Sequence, residues 1–189
     1  MAVANYHSTY GCYPPAYIAD RDGRPMHSWR VLILPFLEQQ NLYAAYNFDE
    51  PWDGPNNRML AHRIGQVYRR SGLEAEQSET TSFVAVVGPK TAWPGARAVT
   101  DKDIGDEREN TLTIVEVPDG LFRWMEPKDL EFDRMSFRIN DGSGRGLGSR
   151  LGGARVLTAN GMVRTLRDDF DPDRLRAMLT INGRETIGE

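Results

Sequence analysis

Residues 28–48 read SWRVLILPFLEQQNLYAAYNF, the densest apolar stretch of the chain. Trp29, Leu32, Phe36, Leu37, Tyr43 and Tyr46 recur at spacings near three and four, the pattern of a helix that buries one face. Pro35 lacks an amide hydrogen and its ring clashes with the preceding turn. The spacing therefore predicts a helix over 28–34, a kink at Pro35, and a second helix over 36–46. Ser28 is the expected N-cap of the first. Each Leu, Ile or Phe fully buried here contributes roughly 1.5–3 kcal/mol, so this stretch is the expected anchor of the fold. Trp29 belongs to that core. The pattern describes packing, not catalysis.

Upstream, residues 1–10 read as a short helix with Val3, Tyr6 and Tyr10 on one side and Gly11 as its stop. A helix of that length is marginal alone and needs packing or a longer parent helix. Residues 12–25 read as irregular chain, with Pro14-Pro15 extended and Asp22-Gly23 a turn. Downstream, 49–57 (DEPWDGPNN) is dense in turn formers. Trp52 is expected to pack back on the core, with Asp53 or Asn56 accepting an amide hydrogen bond. A short helix follows at 57–64, then a polar loop at 68–81.

Strand composition marks 81–87, 122–125 and, most strongly, 110–117 (NTLTIVEV). In the last, alternation places Thr111, Thr113, Val115 and Val117 on one side and Leu112, Ile114 and Glu116 on the other. A buried Glu116 needs a partner. Residues 127–132 read as a helical turn or loop, and 141–153 as a glycine-rich loop. ARVLTA and MVRTL flank Asn160-Gly161, a two-residue turn that predicts a tight hairpin pairing Thr158 with Val163. Asp171 and Pro172 open a helix with Leu175, Met178 and Leu179 on its apolar face and Asn182-Gly183 at its end. These elements make an α+β fold, an antiparallel sheet backed by helices, in one domain over 1–189.

Composition narrows the function classes. The chain has 189 residues, 40% hydrophobic, with a formal charge of -4, 18 Gly and 11 Pro. Its acidic residues concentrate in 101–141, where twelve face six basic ones, which argues against a nucleic-acid partner. No apolar run is long enough to cross a membrane. Cys12 is the sole cysteine, which excludes an intrachain disulfide and any multi-cysteine metal site.

Several motifs together resemble a large planctomycete family of prepilin-like proteins with PulG-like pseudopilin architecture. They are Asn5-Tyr6-His7, Thr9-Tyr10-Gly11, Tyr13-Pro14-Pro15, Ser28-Trp29-Arg30, Pro35-Phe36-Leu37-Glu38-Gln39 and the 49–57 turn segment. The 84–89 segment, Thr91-Ala92-Trp93-Pro94-Gly95, Trp124-Met125-Glu126-Pro127, Asp129-Leu130 and the 159–163 hairpin continue the pattern. The resemblance implies a non-enzymatic structural or assembly domain of the cell envelope, akin to a type II secretion pseudopilin. Pseudopilin-like subunits or other envelope proteins would be its partners. The membrane-anchoring helix and processing signal of such proteins fall upstream of Met1, so the resemblance implies a trimmed, soluble domain or a derivative without the anchor. Three segments depart from the pattern: 106–111 (DERENT), 68–72 (YRRSG, without the usual cysteine) and 149–153 (SRLGG, without the usual histidine). Roles that need that cysteine or histidine do not transfer.

The candidate sites follow. Asp101, Asp103, Asp106 and Glu107 offer hard oxygen ligands for calcium, set against a solvated acidic loop; the spacing is not that of an EF-hand. Trp93, beside Pro94-Gly95, and Trp124, beside Pro127, are candidate recognition surfaces, set against core packing. They would form the aromatic wall in the rival reading, a small-molecule or carbohydrate-binding module related to transport. His7 and Cys12 are the one local nucleophile and base, but a hydrolase also needs an orienting group and an oxyanion pocket. The carboxylates Asp20, Asp22, Asp49, Glu50 and Asp53 could supply a pair for glycosidic chemistry, set against the turn capping and solvation that their setting favours. Pro35, Trp52, Asn160 and Gly161 are structural.

Overall fold

The computed structural model describes residues 2–64, 67–68, 79–118 and 120–183. Helix α1 (Ala2–Tyr10) ends where Gly11, at φ 72°, turns its amide back to the His7 carbonyl at 2.8 Å. A hairpin follows, β1 (Tyr17–Ala19) against β2 (Pro25–Ser28), where the composition predicts irregular chain. Its turn is fixed by Asp20, whose carboxylate accepts the amides of Asp22 and Arg24 at 2.9 and 2.8 Å. Strands of three and four residues are too short to show an alternation in sequence.

The decisive stretch breaks into three pieces rather than two. They are α2 (Trp29–Leu32), a 3-10 turn (Leu34–Leu37) and α3 (Gln40–Ala45). Ser28 caps α2 as expected, its hydroxyl accepting the Arg30 amide at 3.3 Å. Pro35 does not kink a continuing helix. It sits in the opening positions of the 3-10 turn, where its missing amide costs nothing. Glu38, in the left-handed region at φ 59°, then ends the turn and separates it from α3. Trp29, Val31, Leu34, Leu42 and Tyr46 are buried in the first of two core clusters. The stretch is an anchor, but as a coil of short turns.

A further 3-10 helix spans Asn57–Ile64. The expected single strand at 81–87 divides into β3 (Thr80–Thr81), β4 (Phe83–Val84) and β5 (Val86–Val87), each with a different partner. After a 3-10 turn at Asp101–Asp103 come β6 (Leu112–Glu116), β7 (Phe122–Arg123) and β8 (Leu130–Glu131). The chain continues with β9 (Ala154–Thr158), β10 (Val163–Leu166) and α4 (Pro172–Met178). The central sheet is antiparallel in the order β10-β9-β6-β4. β3 pairs with β7, and β5 runs parallel to β8, where a helical turn or loop was expected. The fold is α+β, an antiparallel sheet flanked by helices. The loop expected at 68–81 lies mostly outside the described residues, but its two ends, Tyr68 and Thr81, are buried.

The sheet separates the two core clusters. A bulge in β6 decides which residues face which: Leu112 pairs with Thr158 and Ile114 with Leu157, leaving Thr113 as the extra residue. Leu112 therefore joins Val115 and Val117 in the second cluster, while Ile114 packs against the first. Strict alternation put Leu112 with Ile114. Glu116 is buried and accepts the Arg155 amide at 2.8 Å, the partner its burial requires.

The β9–β10 hairpin forms at the expected place but one residue out of register, with Val163 opposite Leu157. Asn160 does not adopt the positive φ that a two-residue turn of this type needs; Gly161 alone does, at 88°. Three residues, 159–161, make the loop, closed by the Gly161 amide on the Thr158 carbonyl at 2.9 Å. Asp171 caps α4, accepting the Arg174 amide at 2.7 Å. The helix stops at Met178, before Asn182-Gly183, because the Ile181 amide is drawn away to the Lys90 carbonyl at 3.0 Å. Among the described residues no helix is long and apolar enough to cross a membrane.

Candidate functional site

Beneath α2 lies a buried polar knot. The Arg30 guanidinium donates to Asp129 Oδ1 at 2.5 Å, with both side chains almost wholly excluded from water. Its other nitrogens donate to the Phe83 carbonyl at 3.1 Å and the Ser28 hydroxyl at 3.0 Å. Asp129 Oδ1 also accepts the Ala85 amide at 2.8 Å and the Trp29 indole at 3.2 Å. Burial pushes the Asp129 carboxyl above its ordinary value, and Arg30 opposes the shift without cancelling it. The knot ties α2 to β4 and to the segment before β8. Sequence reasoning missed both residues; the signal was a lone arginine inside an apolar run, which demands a buried partner.

Around the knot sit the aromatic residues expected to mark a recognition surface. Trp93 and Trp124 are 1% and 0% exposed, so neither forms one. The Trp93 indole donates to the Thr113 carbonyl at the β6 bulge, and its ring lies 5.1 Å from that of Trp29. The Trp124 indole donates to the Ala61 carbonyl at 2.8 Å while its ring stacks on Tyr68. Satisfied indoles in the interior are packing, and the aromatic wall of the rival reading is absent from these positions. Trp52 is half-buried against the first cluster, with its amide on the Met26 carbonyl, as turn support requires. The turn it supports is held by Glu50 and Asn57 rather than by Asp53 or Asn56: Glu50 accepts the Asn56 and Asn57 amides at 2.9 and 2.6 Å.

The four candidate calcium ligands do not converge. Asp101 faces His7 at 3.0 Å and Arg108 at 3.2 Å. Asp103 closes a capping box with Thr100, whose amide and hydroxyl hold its carboxyl below the ordinary value, and it also meets Arg97 at 3.2 Å. Asp106 accepts the Gly183 amide at 2.9 Å, and Glu107 accepts from the Asn110 side chain at 2.8 Å. Each carboxylate serves a different local partner. Among the described residues no group of three or more His, Cys, Asp or Glu is placed to hold a metal ion. His7 Nε2 lies 3.0 Å from Asp101 without the geometry of a hydrogen bond, and its ring packs on Tyr13, centroids 4.6 Å apart.

The surface feature next to the knot is an apolar recess of about 300 Å³. The first turn of α1 (Ala2, Val3), Ile33, Leu37, Phe83, Ile114, Leu157 and Val163 line it. Trp29 and Tyr68 also line it. Val163 is 67% exposed and its neighbour Met162 48%. The lining is mostly apolar, its polar members being the exposed Arg155 and the Tyr68 hydroxyl, which donates to the Arg30 carbonyl.

Residues 1–145 match the model of a protein family of unknown function, DUF1559. The chain belongs to that family. The DUF1559 match includes both halves of the knot, Arg30 and Asp129, and part of the recess lining. β9, β10 and α4 lie beyond it. No curated protein and no solved structure matches the chain.

Proposed function

We propose that this DUF1559 domain is a non-enzymatic structural part of a cell-envelope assembly, pseudopilin-like in its contacts. In this reading the apolar recess beside α1 seats a neighbouring copy of the chain. The observation that carries the reading is the exposure of Val163 at the rim of that recess, with Met162 next to it. Exposed apolar residues scattered singly need no explanation, whereas two in sequence beside an apolar recess favour a partner. An apolar side chain buried there contributes roughly 1.5–3 kcal/mol, enough for several such contacts to hold an array whose subunits are individually weak.

The resemblance to prepilin-like proteins supplies the rest. It makes α1, which packs through Tyr6 and Tyr10 on Phe36 of the 3-10 turn, the end of an assembly helix and puts the anchoring segment upstream. The buried knot keeps α2 and the sheet rigid beneath the contact. Chemical cross-linking in native envelopes tests this reading. A series of adducts at multiples of the chain mass is expected. Adducts with unrelated proteins only, or none, would contradict it.

A further inference from the structure

A polar cleft of about 630 Å³ lies between α4, Pro89-Lys90 and the 97–103 segment, apart from the apolar recess. Its walls are tied together by the fold itself. The Ile181 amide donates to the Lys90 carbonyl at 3.0 Å, and the Ile181 carbonyl accepts the amides of Gly105 and Asp106 at 2.8 and 3.1 Å. Asn182 donates to the Asp103 carbonyl at 2.8 Å. A Cβ at Gly105 would meet Asn182 Oδ1 at 2.2 Å, so any larger residue there would have to displace the Asn182 side chain from this contact. A cleft built this way does not have to be ordered by its ligand.

Three cations, Lys90, Arg97 and Arg176, and two carboxylates, Asp103 and Asp173, line it. Asp103 and Arg97 are paired with each other. The Arg176 guanidinium lies over the rings of Phe132 and Phe137, 5.5 and 5.1 Å from their centroids, which supports its plane. Among the described residues neither Lys90 nor Arg176 meets a carboxylate, and the Asp173 carboxylate accepts no hydrogen bond. Two free cations and one free carboxylate thus face one space.

We propose that this cleft binds a small hydroxylated organic anion with the chemistry of an acidic sugar. The ligand's carboxylate is received by Lys90 and Arg176, and its hydroxyls donate to Asp173. Asp173 disfavours a compact inorganic anion, whose charge cannot be held away from it, and favours a larger ligand in which hydroxyl donors stand apart from the carboxylate. This site is independent of the assembly surface.

Isothermal titration of the full chain at low ionic strength tests it, with D-galacturonate, D-galactose and inorganic phosphate as probes. Saturable galacturonate binding is expected, with galactose and phosphate each at least about tenfold weaker. Each of Lys90→Gln and Arg176→Gln should weaken galacturonate about tenfold, the loss of one charge-assisted hydrogen bond. Lys90 is exposed and holds up no neighbour, so its variant keeps the melting temperature of the parent. No saturable binding into the millimolar range, phosphate binding as tight as galacturonate, or unchanged affinity in Lys90→Gln would each overturn the proposal.

Discussion

Arg30 and Asp129 stand 99 residues apart in the chain and meet at 2.5 Å in the interior, the guanidinium also reaching β4 and the carboxylate also holding Ala85 and Trp29. A pair of this kind contributes little net stability beyond what packed apolar residues would, because both charges left water to form it. Removing one partner is another matter, since the survivor is then buried and uncompensated. Arg30→Met or Asp129→Asn should each cost about 3–5 kcal/mol in urea unfolding. The double variant should cost less than the sum of the two. Additive losses would mean that the two side chains do not act as a unit.

The Trp93 indole donates to the Thr113 carbonyl at the β6 bulge. Trp93→Phe keeps much of the apolar area and removes that donor, so a loss of about 1–3 kcal/mol is expected. Trp93 and Trp124 should also be shielded from acrylamide quenching, with Trp52 accounting for most of what is quenched. Efficient quenching of Trp93 in single-tryptophan variants would place it on the surface.

His27 is buried with Nδ1 2.9 Å from the Tyr46 hydroxyl and Nε2 3.1 Å from the Phe48 carbonyl. A carbonyl only accepts, so Nε2 carries the hydrogen and Nδ1 accepts from Tyr46. Burial lowers the His27 pKa, with the Phe48 bond opposing. Below the ordinary value of about 6.5 the unfolded chain therefore takes up a proton that the folded one refuses. Stability should fall as pH drops from 7.5 through 6.5 toward the folded value, by at most about 1.4 kcal/mol per pH unit from this group. His27→Gln should flatten that part of the profile. An unchanged slope in the variant would remove His27 as its source.

Each of Asp101, Asp103, Asp106 and Glu107 already serves a local partner. Millimolar calcium should therefore leave the melting temperature unchanged, as should a chelator. A calcium-dependent rise that disappears in Asp106→Asn would contradict this.

Much of the fold was legible where the signal is local. The Ser28 and Asp171 caps, the Gly11 stop, the 3-10 helix at Asn57–Ile64 and the position of the last hairpin all follow from residues a few places apart. Reading failed where one residue's backbone angle decides the outcome. Glu38 in the left-handed region divided a helix, and Asn160 outside it shifted a hairpin by one position. It failed again where the partner is remote. Thr113 becomes a bulge because of how β6 meets β9, and Trp93 and Trp124 are drawn inward by carbonyls 20 and 63 residues away. Motifs from distant parts of the sequence, Ser28-Trp29-Arg30 and Asp129-Leu130 among them, close on the same buried knot. Sequence order alone does not reveal that they touch.

The assembly reading rests on one surface, and a photo-reactive residue at position 163 reports on it directly. Illumination of native envelopes should give homotypic adducts from position 163 and few from Leu151, which is as exposed but does not line the recess. Equal yields at the two positions, or monomer alone at 163, would contradict it.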